Sequence, residues 1–133
     1  MDLNDNEEQQ LPQKNRTYRD SFRFAFKGIQ TAFQEERNMR VHVMTGAAVL
    51  LLGLLLPLNR TEWLWLILVS YLVFVMELIN TVAENVVDLV TEEYHPIAKK
   101  VKDMAAAVVL VTALFSVIVG GIIIVPKLIQ IIM

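Results

Sequence analysis

The sequence predicts an all-α integral membrane protein: three transmembrane helices preceded by an amphipathic helix lying in the membrane interface. Three observations predict it. The 133 residues are 55% hydrophobic and only 20% charged, with a mean hydropathy of +0.47. Long uncharged stretches recur at 43–58, 63–76 and 104–125. The basic residues between them are unevenly distributed. Such a composition excludes a disordered chain and opposes a water-soluble domain. The absence of cysteine excludes disulfides, thiolate metal sites and cysteine nucleophiles. A net charge of −2 opposes nucleic acid as a partner.

Residues 1–13, rich in Asp, Asn, Glu and Gln, are expected to form a disordered acidic tail. Residues 14–133 then form a single membrane domain. The amphipathic helix is expected over about 17–37. Phe22, Phe26, Ile29 and Phe33 recur at helical spacing, and Arg19, Arg23, Lys27 and Gln30 fall on the other side. An aromatic face backed by a basic one suits the membrane interface.

A hydrocarbon core of about 30 Å needs about 20 apolar residues to cross it. The stretch at 104–125 meets that length outright; the first two meet it only by taking in polar residues. The spans are therefore placed at about 41–58, 62–90 and 98–125. In the third, Ala106, Ala113, Ser116 and Gly120 share one face, a small-residue surface suited to helix packing. Lys14, Arg16, Arg19, Arg23, Lys27, Arg37 and Arg40 precede the first span, and Lys99, Lys100 and Lys102 precede the third. Only Arg60 lies between spans one and two, and only Lys127 follows span three. The positive-inside rule thus places the N-terminus in the cytoplasm and the C-terminus outside, in a cell membrane. The polar start of the chain does not resemble a cleavable signal peptide.

The most informative segment runs from Glu77 to Asp88. At about 100° per residue, Glu77, Asn80, Glu84 and Asp88 share an arc of about 80°. Val75, Ile79, Val82 and Val86 take the opposite side. Glu77 lies about 21 Å along the helix from Trp63, within the hydrocarbon core, and Glu84 about 10 Å further on. An acid at that depth is a functional site by default. Closely spaced carboxylates repel and recruit a cation, and an oxygen-only donor set favours Mg²⁺. Asp103 and Lys102 open the third span, and Glu35 and Glu36 close the amphipathic helix. Acids for a metal, bases for phosphates and a buried acid beside lipid point to phosphoryl transfer to a lipid hydroxyl. A Walker-type nucleotide loop and the protein-kinase motif set are both absent.

These residues resemble the small prokaryotic diacylglycerol kinase family. The resemblance rests on Glu77-x-x-Asn80-Thr81-x-x-Glu84-x-x-x-Asp88 and on Lys102-Asp103-Met104-Ala105-Ala106. Glu36-Arg37-Asn38 and Glu93-Tyr94-His95 match as well, and the likeness runs from about Arg16 to the C-terminus. Within the family, the stretches from Glu36 to His42 and from His95 to Lys100 resemble the Gram-positive, undecaprenol kinase branch. The resemblance implies a homotrimer with active sites shared between subunits. It implies ATP as co-substrate and Mg²⁺ as cofactor, with transfer of the γ-phosphoryl group to a lipid alcohol. Undecaprenol would yield the lipid carrier of cell-wall synthesis. It also implies Glu77 as general base, Glu36 and Glu84 as metal-binding acids and Lys102 as a phosphate contact. Asn80, Asp88 and Asp103 would support the site. An arginine near the phosphates would be Arg16 or Arg19, and Phe24 would lie near the nucleotide. Two alternatives stand beside this expectation: a diacylglycerol kinase making phosphatidic acid, and a non-enzymatic membrane protein such as a channel subunit.

Overall fold

The structure is a computed structural model and describes residues 17–133. The acidic tail expected at 1–13, with Lys14 and Arg16, lies outside the described residues. The described chain is four α-helices: α1 Tyr18–Glu35, α2 Arg37–Leu54, α3 Arg60–Val90 and α4 Pro96–Ile132. No strand occurs among the described residues.

Thr17 caps α1, its hydroxyl oxygen accepting from the Asp20 amide at 3.2 Å. Ala32 is buried, whereas Phe22, Phe26, Ile29 and Phe33 are 40–69% exposed. The aromatic face is therefore largely uncovered among the described residues, as an interfacial helix requires. Glu36 alone separates α1 from α2 and has extended backbone (φ −94°, ψ 118°). Arg40 fixes this corner: its guanidinium donates to the carbonyls of Phe33 at 3.2 Å and Gln34 at 2.7 Å. A cation there also suits the negative end of the α1 dipole.

α2 starts at Arg37 and stops at Leu54, earlier at both ends than the expected 41–58. The start moves because a one-residue corner leaves no linker. The stop moves because Pro57 lacks an amide hydrogen and disfavours helical backbone at Leu56. Leu56 instead tucks inward, and Asn59 starts α3 with a capping box. The Asn59 side chain accepts from the Glu62 amide at 3.0 Å, and the Glu62 carboxylate accepts from the Asn59 amide at 2.7 Å.

α3 is the central helix. It packs against both α2 and α4, and Leu66, Val69 and Val73 are buried along it. α4 starts at Pro96, with the His95 imidazole accepting from the Ile97 amide at 3.2 Å. It runs to Ile132, seven residues past the expected end at 125, because the helix continues through Pro126. A proline is tolerated in an apolar helix when neighbours hold the turn. Here Lys127 ties that turn to Glu62 at the start of α3, at 3.3 Å.

α3 and α4 are each long and apolar enough to cross a membrane. α2 falls short by the same measure, since Arg37, Asn38, Arg40 and His42 occupy its first turns. The glycine end of the small-residue face of α4 is open among the described residues: a side chain added at Gly120 or Gly121 would meet nothing within 4 Å. Ala113, Ser116, Gly120 and Gly121 instead line a groove of about 550 Å³ between α2 and α4.

Gly53 makes a close joint between α2 and the start of α3. A Cβ there would lie 3.0 Å from Trp63 and 3.2 Å from Leu58. Gly53→Leu should therefore cost about 1–3 kcal/mol through overpacking. Gly28→Ala, with open space around it, should be neutral or stabilising by up to about 1 kcal/mol. Thermal unfolding of the detergent-purified variants checks both, and an unchanged midpoint for Gly53→Leu would remove this joint from the account.

Candidate active site

The acid stripe converges where α1 turns into α2. Glu77 is 1% exposed on α3, and Asn80 and Thr81 are buried beside it. With Glu84, Asn38, His42 and Ala106, among others, Glu77 and Asn80 line a pocket of about 300 Å³ between α2, α3 and α4. On the opposite side of α3, Ile79, Val82 and Val86 are more than half exposed, as their apolar character requires of a lipid-facing side.

Local bonding explains how α3 carries so many polar groups. The Thr81 hydroxyl donates to the Glu77 carbonyl at 3.0 Å and so satisfies itself within the helix. The Asn80 amide nitrogen donates to the Glu84 carboxylate at 3.0 Å. That bond fixes the amide orientation, because a flipped amide would set oxygen against oxygen. It leaves the Asn80 Oδ1 atom buried without a partner. An unsatisfied buried acceptor is uncommon in a native structure and marks a place for a donor or a cation. Glu36 and Glu84 lie near enough for their charge to act on Glu77, so three carboxyl groups share this region.

Glu36 comes to the site from the α1–α2 corner. It stands at the N-cap position of α2 but makes no capping hydrogen bond, which leaves its carboxylate uncommitted to that helix end. Asp88 and Lys102 join α3 to α4 across their connecting turn, with a Lys102 Nζ–Asp88 Oδ1 separation of 2.6 Å. The Glu84 charge lies near enough to act on the Lys102 ammonium as well. Lys102 is thus a fixed cation beside the acids. Asp103 is exposed and pairs with Lys99 one turn away.

The structure thus brings Glu77, Asn80 and Glu84 into one pocket and sets Asp88, Lys102 and Asp103 around a second pocket, of about 270 Å³, at the α3–α4 turn. It does not bring Arg19 there: that residue lies in the first turn of α1, about 25 Å along the helix from Glu36. Arg16 lies outside the described residues. Among the described residues, no three His, Asp or Glu side chains converge to hold a metal ion. Asn38 and His42 were not singled out as site residues from the sequence. Their spacing of four, at the polar start of an apolar helix, is the signal that puts both on one face.

A helical membrane protein with an acid-lined pocket beside a fixed cation is a class suited to chemistry on phosphates and lipid. Comparison with known proteins narrows the class. The family model for prokaryotic diacylglycerol kinase matches residues 23–124. A diacylglycerol kinase of Synechocystis is 46% identical over 111 residues, 83% of this chain and 63% of that protein. An undecaprenol kinase of Bacillus subtilis is 43% identical over 108 residues, 81% of this chain and 88% of that protein. A Helicobacter pylori diacylglycerol kinase is 35% identical over 115 residues, 84% of this chain and 90% of that protein. The chain therefore spans less than two thirds of the Synechocystis protein and most of the other two. The chain belongs to the prokaryotic diacylglycerol kinase family.

The bonding pattern orders the polar residues by structural weight. Asn80→Ala removes a partly buried bond to a carboxylate, worth about 1.5–3 kcal/mol. Asp88→Asn breaks a pair whose partners are exposed to solvent, so its effect on stability should be small. Thermal midpoints in detergent should fall further for Asn80→Ala, and the reverse order would contradict the pocket geometry.

Proposed function

We propose that this chain is an ATP- and Mg²⁺-dependent lipid kinase that transfers the γ-phosphoryl group to the hydroxyl of undecaprenol. The observation that carries the reading is a carboxyl group, Glu77, buried among apolar helices and facing a pocket that also holds Glu84. Family membership supports the reaction class. The Gram-positive-like stretches from Glu36 to His42 and from His95 to Lys100 favour undecaprenol over diacylglycerol. The near-equal identities to the Synechocystis and Bacillus proteins leave diacylglycerol as the second acceptor to test.

In this reading the protein crosses the membrane three times, with its N-terminus in the cytoplasm and its C-terminus outside, and assembles as a homotrimer. α2 is the third span: its 18 residues measure about 27 Å, close to the hydrocarbon core. The uncovered small-residue groove between α2 and α4 is compatible with neighbouring subunits.

Glu77 takes the proton from the lipid hydroxyl as the hydroxyl oxygen bonds to the γ-phosphorus and the bond to the ADP oxygen breaks. Phosphoryl transfer through a loose transition state needs positioning and charge neutralisation more than covalent chemistry. Lys102 supplies fixed positive charge for the nucleotide phosphates, and Asp88 holds that ammonium in place. A second cation would come from Arg16, or from Arg19 of a neighbouring subunit in the homotrimer. The donor set fits Mg²⁺, which commonly takes one or two carboxylates plus substrate phosphates. Glu36 and Glu84 would hold it, and the unpaired Asn80 oxygen beside Glu84 offers a further acceptor for its water. Bound there, Mg²⁺ would neutralise phosphate charge. Asn80 keeps the Glu84 carboxylate oriented, and Asp103 restrains Lys99 at the rim.

The test is transfer of labelled phosphate from ATP, with Mg²⁺, by the detergent-purified chain to undecaprenol and to diacylglycerol offered separately. Faster turnover on undecaprenol is expected. Preference for diacylglycerol would keep the chemistry and change the acceptor, and transfer to neither would overturn the kinase reading. Glu77→Gln should lower kcat by about 100-fold or more, with the protein still folded. Near-normal turnover in that variant would remove Glu77 from the base role.

A further inference from the structure

We propose that His42 is a positioning residue for Glu77, holding its carboxyl group in the orientation that receives the proton of the acceptor hydroxyl. The inference rests on the base role of Glu77. Its evidence is the bonding of a carboxyl group that is almost wholly buried. Among the described residues, His42 is the one Lys, Arg or His side chain within ion-pair distance of that carboxyl, its Nε2 3.9 Å from Oε2. The Thr81 hydroxyl goes to the Glu77 backbone carbonyl and leaves the side chain alone. The Asn80 amide nitrogen is committed to Glu84, and its free oxygen cannot donate. Lys102 is committed to Asp88. The other groups that face the pocket are Glu84, an anion, and Asn38, on the same face of α2 as His42.

The contact joins two helices, so helix packing sets it. Met39, three residues before His42, is 1% exposed and locks the rotation of α2. Gly46, four residues after it, faces Ser70 on α3, where an added Cβ would stand in ordinary contact with the serine Cβ at 3.8 Å. His42 is held on the α3 side of α2 by both neighbours. Its side chain is 24% exposed and lines the acid pocket as well as the apolar groove between α2 and α4. It therefore stands where the apolar groove meets the acid pocket. A neutral imidazole carries one N–H, and on Nε2 that proton points the donor at the carboxyl. The 3.9 Å separation is longer than a hydrogen bond; contacts of this kind commonly shorten once substrate is bound.

Steady-state kinetics of the full chain in detergent test the inference. His42→Ala should lower kcat about ten- to hundredfold, the scale typical of residues that orient a reactive group, with KM for ATP and lipid unchanged. His42→Gln, which keeps an amide donor, should recover much of the loss; His42→Phe, which fills the space without a donor, should not. In a Glu77→Gln background, His42→Ala should cause no further loss, because the two residues act as one unit. A raised KM at unchanged kcat, equal activity of the Gln and Phe variants, or additive losses with Glu77→Gln would each overturn the proposal. Comparing Gln with Phe keeps the test valid if the alanine variant fails to fold. Wild-type protein that phosphorylates neither alcohol would overturn the kinase reading itself, whereas an active wild type with a silent His42 overturns this inference alone.

Discussion

The structure depends on one constraint: a carboxyl group must be held among apolar helices without bulk water around it. A charged side chain at the centre of a bilayer costs several kcal/mol, so acids in such positions face a protein interior and find partners. Glu77 meets that demand incompletely. It is almost wholly buried, yet its side chain has only His42 within ion-pair reach among the described residues. Around it the same economy holds: Thr81 bonds back into its own helix and Asn80 spends one amide group on Glu84. A half-satisfied polar cluster is costly in a low-dielectric interior. Its presence is better explained by a reaction than by packing.

The rest of the fold delivers charge to that cluster from both sides. The one-residue corner at Glu36 works because Arg40 holds the last carbonyls of α1, and this brings an acid to the start of α2. On the other side, His95 and Pro96 start α4 promptly after α3 ends, which puts Lys102 against Asp88. At the far end of the bundle, the Asn59–Glu62 box and the Glu62–Lys127 pair fasten α3 to α4, while Gly53 admits Trp63. The two ends divide the work: one fixes the helices relative to each other, and the other presents uncommitted acceptors. Glu77, Glu84, Asp88 and Lys102 all fall at the second end.

Much of this was legible in the sequence, because both the helices and the acid stripe are periodic. The stripe from Glu77 to Asp88 predicted a polar face on α3, and Glu77, Asn80 and Glu84 do share a pocket. The opposing Ile79, Val82 and Val86 face outward as expected. Boundaries were less legible, since they depend on caps and corners. Residue 36 is a corner only because Arg40 reaches back, and Pro126 is helical only because its neighbours support the turn. The small-residue face of α4 showed that helices can approach there, but not which helix does; within one chain it lines an open groove. The His42–Glu77 contact was invisible because it joins residues 35 apart on different helices, a distance no periodicity reports. The reach of Arg16 and Arg19 was equally closed, since local pattern carries no information on where an interfacial helix lies against the acids.

The most direct measurement is peptide mapping after treatment with a membrane-soluble carbodiimide, which modifies carboxyl groups in apolar surroundings, with transfer activity followed in parallel. If Glu77 is the reactive acid facing the lipid, it is modified in step with loss of activity, and added lipid alcohol slows both. Modification confined to exposed acids such as Asp88 and Asp103, or modification of Glu77 with activity intact, would contradict the account.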